Sequence, residues 1–460
     1  MAALTDTDVQ SLIAIVGEEN VSLRHTDLVA HSIDESHVEP HLPDVVVWPA
    51  STEEIAAIVR YANERQLPVV PWSGGSSLEG NPVPVMGGIL LALYRLNEII
   101  EVRENDMQVV VQPGIIYDEL NAQLRRLGLF FPPAPGSSDV ATIGGMVANN
   151  SSGMRAVKYG VTRDYVRKLK VVLPDGQIIE TGSRAKKSTS GYDLTSLFVG
   201  SEGTLGIVTE VTLRLISLPE HVAAVVVVFE SLEDAAGAVH DCVRYGLDAS
   251  AIEILDEQTL HATNIQHGLS LRETPTLFFE FHGNEAGIEE QVEYLRELCE
   301  DNGCLDFQVS SNAETREELW TARREAREAI KQCHAGQVMV SGDVCVPISQ
   351  FSAMIEFVHA TAEEMSLKIY TFGHAGDGNL HTEVIADRAN AEEFARAIEA
   401  THRIVAKALD LGGTIAGEHG VGVAKREFMA REHGASLEVM RAIKQLFDPK
   451  GIMNPGKMLP

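Results

Sequence analysis

Short apolar runs alternate with amphipathic stretches along the first 220 residues of the chain. Residues 44–48 (Asp-Val-Val-Val-Trp) predict a buried strand, and Ser51 and Glu54 have the spacing of a helix capping box. The apolar run at 67–70 leads directly into a glycine-rich loop. Strand, helix, strand and loop in this order predict a β-α-β unit with a binding loop at the carboxyl end of its second strand. No Gly-x-Gly-x-x-Gly motif opens a helix there, which argues against a Rossmann domain.

The pattern changes character from His221 onward. Apolar runs at 222–229, 250–255 and 276–283 predict strands, and the amphipathic stretches between them predict helices. We expect 276–283 to be a central strand of a sheet. Strands that alternate with helices in this way indicate a second α+β domain.

The composition is that of an ordinary globular protein with an acidic surface. Of the 460 residues, 45% are hydrophobic and 22% are charged, and the formal net charge is −29. A chain of this length is expected to form two or three domains. No cluster of Lys and Arg supplies the basic face that nucleic-acid binding requires, so we expect no nucleic-acid partner.

Cysteine usage and the first 30 residues predict a cellular compartment. The five cysteines form no Cys-x-x-Cys pair, and scattered thiols in odd number fit a reducing environment. Five acidic residues against the single Arg24 do not fit a secretory signal or a transit peptide. The longest apolar run, 222–229, is too short to span a bilayer. We therefore expect a cytoplasmic protein without a transmembrane segment, and peripheral membrane contact stays open.

Three glycine-rich stretches, 71–80, 132–160 and 200–206, suggest a binding site built from the backbone. Because Gly has no Cβ, a ligand can approach the backbone N–H groups closely, and runs of such groups bind phosphate-type anions. A single stretch of this kind is usually only a turn. Three of them, each after an apolar strand-like run, indicate one large ligand with a diphosphate.

Two histidines flank a predicted hairpin turn in the second half of the chain. His374 and His381 lie on either side of Ala-Gly-Asp-Gly-Asn at 375–379, so a hairpin would bring their imidazoles together. Further along, Glu418 and His419 lie between two glycines. Two His and one carboxylate form the ligand set of an open catalytic metal site. The alternative, two ordinary strand-end histidines and a solvated Glu, stays open at this point.

Arg323 lies on a charged helical stretch and has no local partner. The residues three and four positions away are Trp320, Ala326, Leu319 and Arg327, and none of them can form an ion pair with it. Any partner of Arg323 must therefore lie off the helix. Arg is the side chain best suited to a bidentate clamp on a carboxylate, although a helical Arg is more often solvated surface.

Several motifs together resemble the FAD-linked oxidases of the vanillyl-alcohol-oxidase flavin fold. They are residues 71–81, 132–160, 191–206, 374–381, 417–422 and 454–457. Within the family, the chain is similar to the branch that holds D-lactate dehydrogenase, the glycolate oxidase FAD subunit and D-2-hydroxyglutarate dehydrogenase. The resemblance implies an α+β fold, with a two-subdomain FAD-binding domain and an α+β substrate (cap) domain that has an antiparallel sheet. We expect the FAD-binding domain at 1–219 (core about 42–219), the cap domain with the metal site at 220–425, and a C-terminal segment at 426–460 that returns to the FAD domain.

The resemblance also implies which residues hold FAD. Those for the diphosphate are Ser73, Gly74, Gly75, Ser76 and Ser77; those along the cofactor are Pro135, Gly136, Gly144, Gly145, Asn149, Ser151, Ser152 and Gly153; those for its adenine and ribitol side are Glu202, Gly203, Gly206, Ile207 and Val208; and Asn454 approaches the flavin ring. Some relatives attach FAD covalently through a His in the first glycine-rich loop. No His lies between Pro71 and Asn81, so non-covalent FAD is expected.

For the chemistry, the resemblance implies a divalent metal, Zn or Mn, held by His374, His381 and Glu418. His419 would be the general base, and Arg323 would bind the substrate carboxylate. Hydroxyglutarate-specific relatives carry a Lys two residues before the Asp that stands here at position 343, whereas this chain has Ser341. The missing cation favours a short monocarboxylate such as D-lactate over a five-carbon diacid.

The expected activity is therefore oxidation of a D-2-hydroxy acid to the 2-oxo acid with hydride transfer to FAD. D-2-hydroxyglutarate or glycolate oxidation by the same group is the alternative. A metal-dependent hydrolase and a non-catalytic flavin carrier are rivals from other classes. The electron acceptor stays open between a quinone, a cytochrome and an electron-transfer flavoprotein, and a homodimer is kept as an option.

Overall fold

The structure, a computed structural model, describes residues 3–310 and 312–460. Residues 1, 2 and 311, which fall within the expected domain ranges, lie outside the described part. The helices are α1 Asp6–Val16, α2 His25–Ala30, α3 Thr52–Arg65, α4 Tyr117–Leu124, α5 Ile143–Asn149, α6 Ala156–Tyr159, α7 Thr162–Tyr165, α8 Leu194–Phe198, α9 Leu232–Arg244, α10 Glu257–His267, α11 Glu285–Asp301, α12 Ala313–Arg324, α13 Ala326–Cys333, α14 Phe351–Met365, α15 Ala391–Asp410, α16 Met429–His433 and α17 Ser436–Phe447. Within the described residues, none of these helices combines the length and the apolarity that crossing a membrane requires.

The strands follow the predicted apolar runs closely. They are β1 Val21–Ser22, β2 Val45–Val47, β3 Val69–Trp72, β4 Ile89–Ala92, β5 Ile99–Arg103, β6 Gln108–Val111, β7 Leu129–Phe130, β8 Val166–Val172, β9 Ile178–Gly182, β10 Ile207–Arg214, β11 Ile216–Ser217, β12 His221–Val228, β13 Ala251–Leu255, β14 Thr276–Gly283, β15 Asp306–Ser310, β16 Val338–Cys345, β17 Lys368–Gly373 and β18 Asn379–Ala386.

The described chain divides into two compact units, and each unit is made of segments that are far apart in the sequence. Unit 1 contains residues 3–152, 161–218 and 418–460, and unit 2 contains 153–160 and 219–417 with residue 311 left out. The sequence placed the change to the C-terminal segment at 425/426, whereas the chain passes from unit 2 to unit 1 between Gly417 and Glu418. The sequence also counted residues 153–160 with the FAD domain, although they pack within unit 2.

Unit 1 holds the predicted β-α-β unit in a small, mostly parallel sheet. Its strand order is β1-β2-β4-β3, and the pairs β2–β4 and β4–β3 are parallel. Helix α3 connects β2 to β3 and begins as the capping box predicted, because the Ser51 hydroxyl accepts the Glu54 N–H at 3.1 Å. The last residues of the chain lie along β3, where the Val69 N–H donates to the Ile452 carbonyl at 2.8 Å.

A second sheet of unit 1 is antiparallel, in the order β5-β6-β10-β8-β9. Residues from both sheets share one apolar core. Val172 and Ile207 from the antiparallel sheet pack in the same cluster as Val47, Ile89 and Leu91 from the parallel sheet. Each fully buried Val, Ile or Leu stabilises such a core by roughly 1.5–3 kcal/mol.

Unit 2 is built on one large antiparallel sheet, as the resemblance implied. Among the described residues, seven strands pair in the order β15-β12-β14-β13-β17-β18-β16. Strand β14 has the predicted bounds and lies inside the sheet, but the middle position belongs to β13. The difference arises because β17, β18 and β16 extend the sheet beyond β13, so more strands lie on that side of β14 than on the other.

One face of this sheet carries both an apolar core and a row of acids. Residues that lie opposite each other in an antiparallel ladder point to the same face. The pairs Glu253↔Phe278, Leu255↔Phe372 and Ser341↔Glu383 therefore place their side chains on a common face. At one end of this face, apolar residues pack with Trp320 of α12 and Ile330 of α13. The same face also carries four buried carboxylates, which we call the acidic row: Glu253, Glu280, Asp343 and Glu383.

Candidate active site

The first two glycine-rich stretches meet in unit 1. The hydroxyl groups of Ser73 and Thr142 are hydrogen-bonded to each other. A Cβ at Gly74 would lie 2.4 Å from the Val140 carbonyl oxygen, so the backbones approach as closely as only Gly permits. Gly144 is similarly close, because a Cβ there would lie 2.6 Å from Pro113. The two stretches thus form one continuous backbone surface.

The third stretch joins this surface. The Gly200 N–H donates to the Val147 carbonyl at 2.8 Å, and the Glu202 N–H donates to the Ala148 carbonyl at 2.9 Å. Gly203 has a φ of +69°, and a Cβ there would lie 2.5 Å from the side chain of Pro71. The structure therefore brings together the three stretches that the sequence interpreted as parts of one ligand site. We call this surface the glycine cradle: residues 73–77, 135–152 and 200–206.

The remaining residues assigned to FAD are distributed around the cradle, with one exception. A Cβ at Gly136 would meet no atom within 4 Å, so this position faces open space that a bound group can fill. Ile207 and Val208 begin β10 in unit 1, where they pair with Val172 and Val171 of β8. Gly153 is the exception, because it begins the segment that packs within unit 2.

The polar side-chain groups of Glu202 and Asn454 form hydrogen bonds with other parts of unit 1. The Glu202 carboxylate is buried and accepts the backbone N–H groups of Val421 at 2.7 Å and Gly422 at 2.9 Å. The Asn454 amide donates to the Glu202 carbonyl at 2.7 Å. Burial raises the pKa of Glu202, which these donors partly offset. Glu202 thereby anchors the segment that carries Glu418 and His419.

Two further residues assigned to FAD hold this same segment. The Ser152 hydroxyl donates to the Glu418 carboxylate at 2.9 Å, and the Asn149 amide donates to the His419 carbonyl at 3.0 Å. His419 Nδ1 lies 3.6 Å from the carboxylate of Glu79, which also forms a 2.7 Å ion pair with Lys425. Sequence reasoning assigned no role to this buried Glu79–Lys425 pair. The fully buried Glu79 carboxylate thus lies beside both His419 and Lys425.

In unit 2, the hairpin brings the two predicted histidines together. Strands β17 and β18 pair through the turn at 375–378, and the ring centroids of His374 and His381 are 5.0 Å apart with perpendicular planes. Both side chains are buried. His381 Nδ1 lies 3.5 Å from Asp343, a member of the acidic row.

His374 and Arg323 share one carboxylate that sequence reasoning missed. His374 Nδ1 lies 2.8 Å and 2.9 Å from the two oxygens of Glu253. Arg323 Nε donates to Glu253 Oε2 at 2.8 Å, and its Nη2 lies 2.5 Å from the same oxygen. Arg323 thus has its partner off the helix, as the sequence predicted. A usable signal for Glu253 existed, because it is the single charged residue in the buried strand Ala251–Leu255.

The other acids of the row have cations or polar groups of their own. Glu280 accepts from Arg155 Nε at 2.9 Å and lies 2.8 Å from His282 Nε2, while Glu383 accepts from Arg327 at 3.0 Å and from Ser341 at 2.7 Å. Burial alone would raise the pKa of Glu280, but Arg155 and His282 hold it at about 2. Glu280 and Glu383 therefore each have an arginine and a second polar side chain beside the carboxylate.

The donor set of the hairpin suits a divalent metal. A carboxylate only accepts hydrogen bonds, so His374 Nδ1 carries the proton and Nε2 keeps its lone pair. A metal-binding histidine usually donates its other ring N–H to a carboxylate in this way. The Gly417 backbone lies close to Asn379 and Asp343, since a Cβ there would lie 2.1 Å from the Asn379 amide. Glu418 is the next residue of the chain, peptide-bonded to Gly417.

Comparison with protein families gives two matches that together span most of the chain. Residues 43–182 match an FAD binding domain. Residues 218–458 match the C-terminal domain of FAD linked oxidases. Residues 73–77 and 135–152 of the glycine cradle lie within the matched FAD binding domain, and FAD is the cofactor of this protein.

Relatives with assigned names align with nearly the full chain. The mitochondrial D-lactate dehydrogenase [cytochrome] of Arabidopsis thaliana is 40% identical over 98% of this chain and 80% of its own length. The glycolate oxidase subunit GlcD of Bacillus subtilis is 37% identical over 98% of this chain and 96% of its own length. A probable mitochondrial D-lactate dehydrogenase of Danio rerio is 39% identical over 99% of this chain and 92% of its own length.

Solved structures share the fold at low sequence identity. The 4-ethylphenol oxidase of Gulosibacter chungangensis superposes with a TM-score of 0.83, at 18% identity over 98% of this chain and 96% of the other. p-Cresol methylhydroxylase superposes with a TM-score of 0.84, at 18% identity over 99% of this chain and 98% of the other. The expected vanillyl-alcohol-oxidase type of fold is confirmed. This chain belongs to the family of FAD-linked oxidases and is an FAD-dependent oxidoreductase.

Proposed function

We propose that the protein oxidises a D-2-hydroxy acid, D-lactate or a similar short monocarboxylate, to the 2-oxo acid. The observation that carries the proposal is the junction at Glu253, which fixes a buried histidine and a buried arginine beside each other in unit 2. An imidazole that can bind a metal next to a guanidinium that can bind a carboxylate matches the two functional groups of a 2-hydroxy acid. The relatives from Arabidopsis thaliana and Danio rerio are both named as D-lactate dehydrogenases, which supports the same substrate class.

The roles of the chain's own residues follow from their chemistry. His374, His381 and Glu418 would hold a divalent metal, Zn or Mn, with Glu418 placed by the Ser152 hydroxyl. The metal supplies a Lewis acid that polarises the substrate hydroxyl. Arg323 binds the substrate carboxylate through N–H groups that point away from Glu253. His419 takes the hydroxyl proton as general base, with its ring beside the Glu79 carboxylate.

Residues of the glycine cradle would hold FAD in this proposal. When bound, it supplies the acceptor for the hydride from C2 of the substrate. Backbone N–H groups of 73–77 bind the diphosphate, and Asn149, Ser152, Glu202 and Asn454 keep the cradle and the Glu418–His419 segment in place. No His occurs in 73–77, so the proposal keeps FAD non-covalent.

The surroundings of Ser341 favour a monocarboxylate. The Ser341 hydroxyl donates to Glu383, a buried carboxylate already paired with Arg327. A second substrate carboxylate at this position would meet a carboxylate of the protein where hydroxyglutarate-specific relatives are expected to present a Lys. Like charges in such an environment repel each other strongly. Glycolate remains a second candidate, because the Bacillus relative is a glycolate oxidase subunit.

The proposal extends to the electron acceptor, the oligomeric state and the location of the protein. Among quinone, cytochrome and electron-transfer flavoprotein, we favour a cytochrome as electron acceptor, since the Arabidopsis relative carries that word in its name. A homodimer and a cytoplasmic location, with or without peripheral membrane contact, stay predictions. The hydrolase rival is dropped because the family consists of FAD-linked oxidases.

Anaerobic mixing of the flavin-loaded protein with a panel of hydroxy acids tests the proposal. D-lactate should bleach the flavin absorption rapidly, whereas L-lactate and D-2-hydroxyglutarate should bleach it at least tenfold more slowly. A faster reaction with glycolate would favour the second candidate. A flavin that no 2-hydroxy acid reduces would contradict the proposal and favour a non-catalytic flavin carrier.

A further inference from the structure

We infer that Glu253 is a positioning residue that sets the metal-binding histidine and the carboxylate-binding arginine at the same time. The inference deepens the proposed function and rests on it. Neither partner is near Glu253 in sequence, since His374 is 121 residues away and Arg323 is 70 residues away. A single carboxylate on β13 therefore joins the two halves of the substrate-binding chemistry.

The first contact fixes the tautomer and rotation of His374. The side chain of Glu253 is completely buried, so no solvent replaces its contact with Nδ1 at 2.8–2.9 Å. With the proton on Nδ1, Nε2 stays available as a ligand atom across the pH range in which the imidazole is neutral. Partners of this kind orient the ring and increase its basicity, and their loss typically weakens metal binding by about 10–100-fold.

The second contact fixes the guanidinium of Arg323. Nε and Nη2 both face Glu253 Oε2, and the Arg323 guanidinium carbon lies 5.3 Å from the centroid of the Phe372 ring. Ion pair and ring together hold a side chain that is only 4% exposed. Arg has five N–H donors, so those not directed at Glu253 remain for a ligand. If Glu253 were neutralised, the buried guanidinium of Arg323 would lose this anionic partner, and its orientation would change.

A second triad in the same sheet provides a matched comparison. Glu280 on β14 contacts Arg155 and His282 much as Glu253 contacts Arg323 and His374. Both carboxylates are buried, lie on the same sheet face and would lose their charge in a Glu→Gln substitution. The Glu280 triad includes none of the residues proposed for substrate or metal. If the loss of a buried charge alone weakened metal and substrate binding, both variants should show it. If Glu253 acts by positioning His374 and Arg323, only the Glu253 variant should show it.

The test uses the flavin-loaded enzyme after metal removal by a chelator, as wild type, Glu253→Gln and Glu280→Gln. Zn²⁺ and Mn²⁺ are titrated separately by calorimetry, and KM and kcat for D-lactate are then measured at saturating metal. We expect Glu253→Gln to weaken metal binding about 10–100-fold and, with the metal site filled, to raise KM at least fivefold through Arg323. Glu280→Gln should change either constant less than twofold.

The outcomes separate this inference from the proposed function. If Glu253→Gln binds metal or substrate within twofold of the wild type while the wild type binds metal normally, the inference alone is overturned. If the wild type binds neither metal, the metal role in the proposed function fails and the inference fails with it. Should Glu253→Gln not fold, Glu253→Asp takes its place. The shorter acid keeps the charge but cannot reach both partners, so unchanged constants in that variant overturn the inference.

Discussion

The two functional regions are built from different parts of the polypeptide. The glycine cradle of unit 1 is made of backbone, with Gly74, Gly144 and Gly203 at points where a Cβ would lie within about 2.6 Å of another residue. The acidic row of unit 2 is made of side chains, and each carboxylate in it contacts residues far away in sequence. In the proposed function, the first region holds the cofactor through backbone N–H groups. In the second region, Glu253 holds the side chains proposed for metal and substrate, whereas Glu280 and Glu383 pair with Arg155 and Arg327.

This difference predicts that the two functions fail independently. A substitution at a cradle glycine such as Gly74, which does not contact the Glu418–His419 segment, should lower cofactor affinity and leave metal binding intact. A substitution at the hairpin should do the reverse. Backbone sites are sensitive to the addition of a single methyl group. Side-chain sites are sensitive to the loss of one ligand or one charge.

The largest expected effect separates the metal ligand from the base. His381→Ala should lose the metal and slow flavin reduction by D-lactate about a thousandfold, because Lewis-acid stabilisation is worth several kcal/mol. His419→Ala should keep the metal and slow the reaction about a hundredfold or more, since it removes only a general base. Elemental analysis and rapid-mixing spectroscopy measure the two quantities. Metal loss in His419→Ala would show that this residue is a ligand.

Arg323→Lys tests the carboxylate clamp. Lys keeps the charge but has no planar pair of donors, so it cannot satisfy Glu253 and a substrate carboxylate together. We expect a loss of about 2 kcal/mol, or about 30-fold, which appears mainly in KM for D-lactate. Flavin and metal content should not change. Kinetics equal to those of the wild type would remove Arg323 from the site.

Gly74→Ala tests the cradle. The new methyl group would meet the Val140 carbonyl oxygen and push apart the first two glycine-rich stretches. FAD affinity, measured by fluorescence titration of the deflavinated protein, should fall about tenfold or more, as expected for overpacking that costs 1–3 kcal/mol. Gly283→Ala is the matched control, because its nearest atom would be an ordinary contact at 3.7 Å. Equal FAD affinities in the two variants would contradict a backbone-built site.

The smallest effect concerns the acidic row as a source of stability. The pKa of Glu280 is lowered from 4.5 to about 2 in the folded protein. Its ionised form therefore stabilises the fold above pH 4.5, and this contribution is lost as the pH falls from 4.5 toward 2. Urea unfolding should show wild type more stable than Glu280→Gln by about 1–2 kcal/mol at pH 7, with a smaller difference at pH 3. A difference independent of pH would contradict the ion pair with Arg155.

The contrast between the regions also explains what the sequence could predict. The glycine-rich stretches and the hairpin with His374 and His381 are local patterns, so they were visible along the chain. Glu253 was missed because its partners come from the residue after β17 and from α12, and no short pattern joins them. The position of 153–160 in unit 2 was missed for the same reason, since the side chain of Met154 packs against residues of distant strands and that of Arg155 pairs with Glu280. Glu202 was assigned to FAD by its motif, whereas its carboxylate contacts in the structure are with Asn81, Val421 and Gly422.

The most direct test removes the metal and leaves the cofactor. After dialysis against a strong chelator, the protein should keep its flavin spectrum but should no longer be bleached by D-lactate under anaerobic conditions. Adding Zn²⁺ or Mn²⁺ should restore the reaction, because the cradle of unit 1 and the histidines of unit 2 serve different groups. If the protein, shown by elemental analysis to be metal-free, still reduces its flavin at the original rate, the metal has no part in the reaction. His374 and His381 would then have to act on the substrate by direct hydrogen bonding.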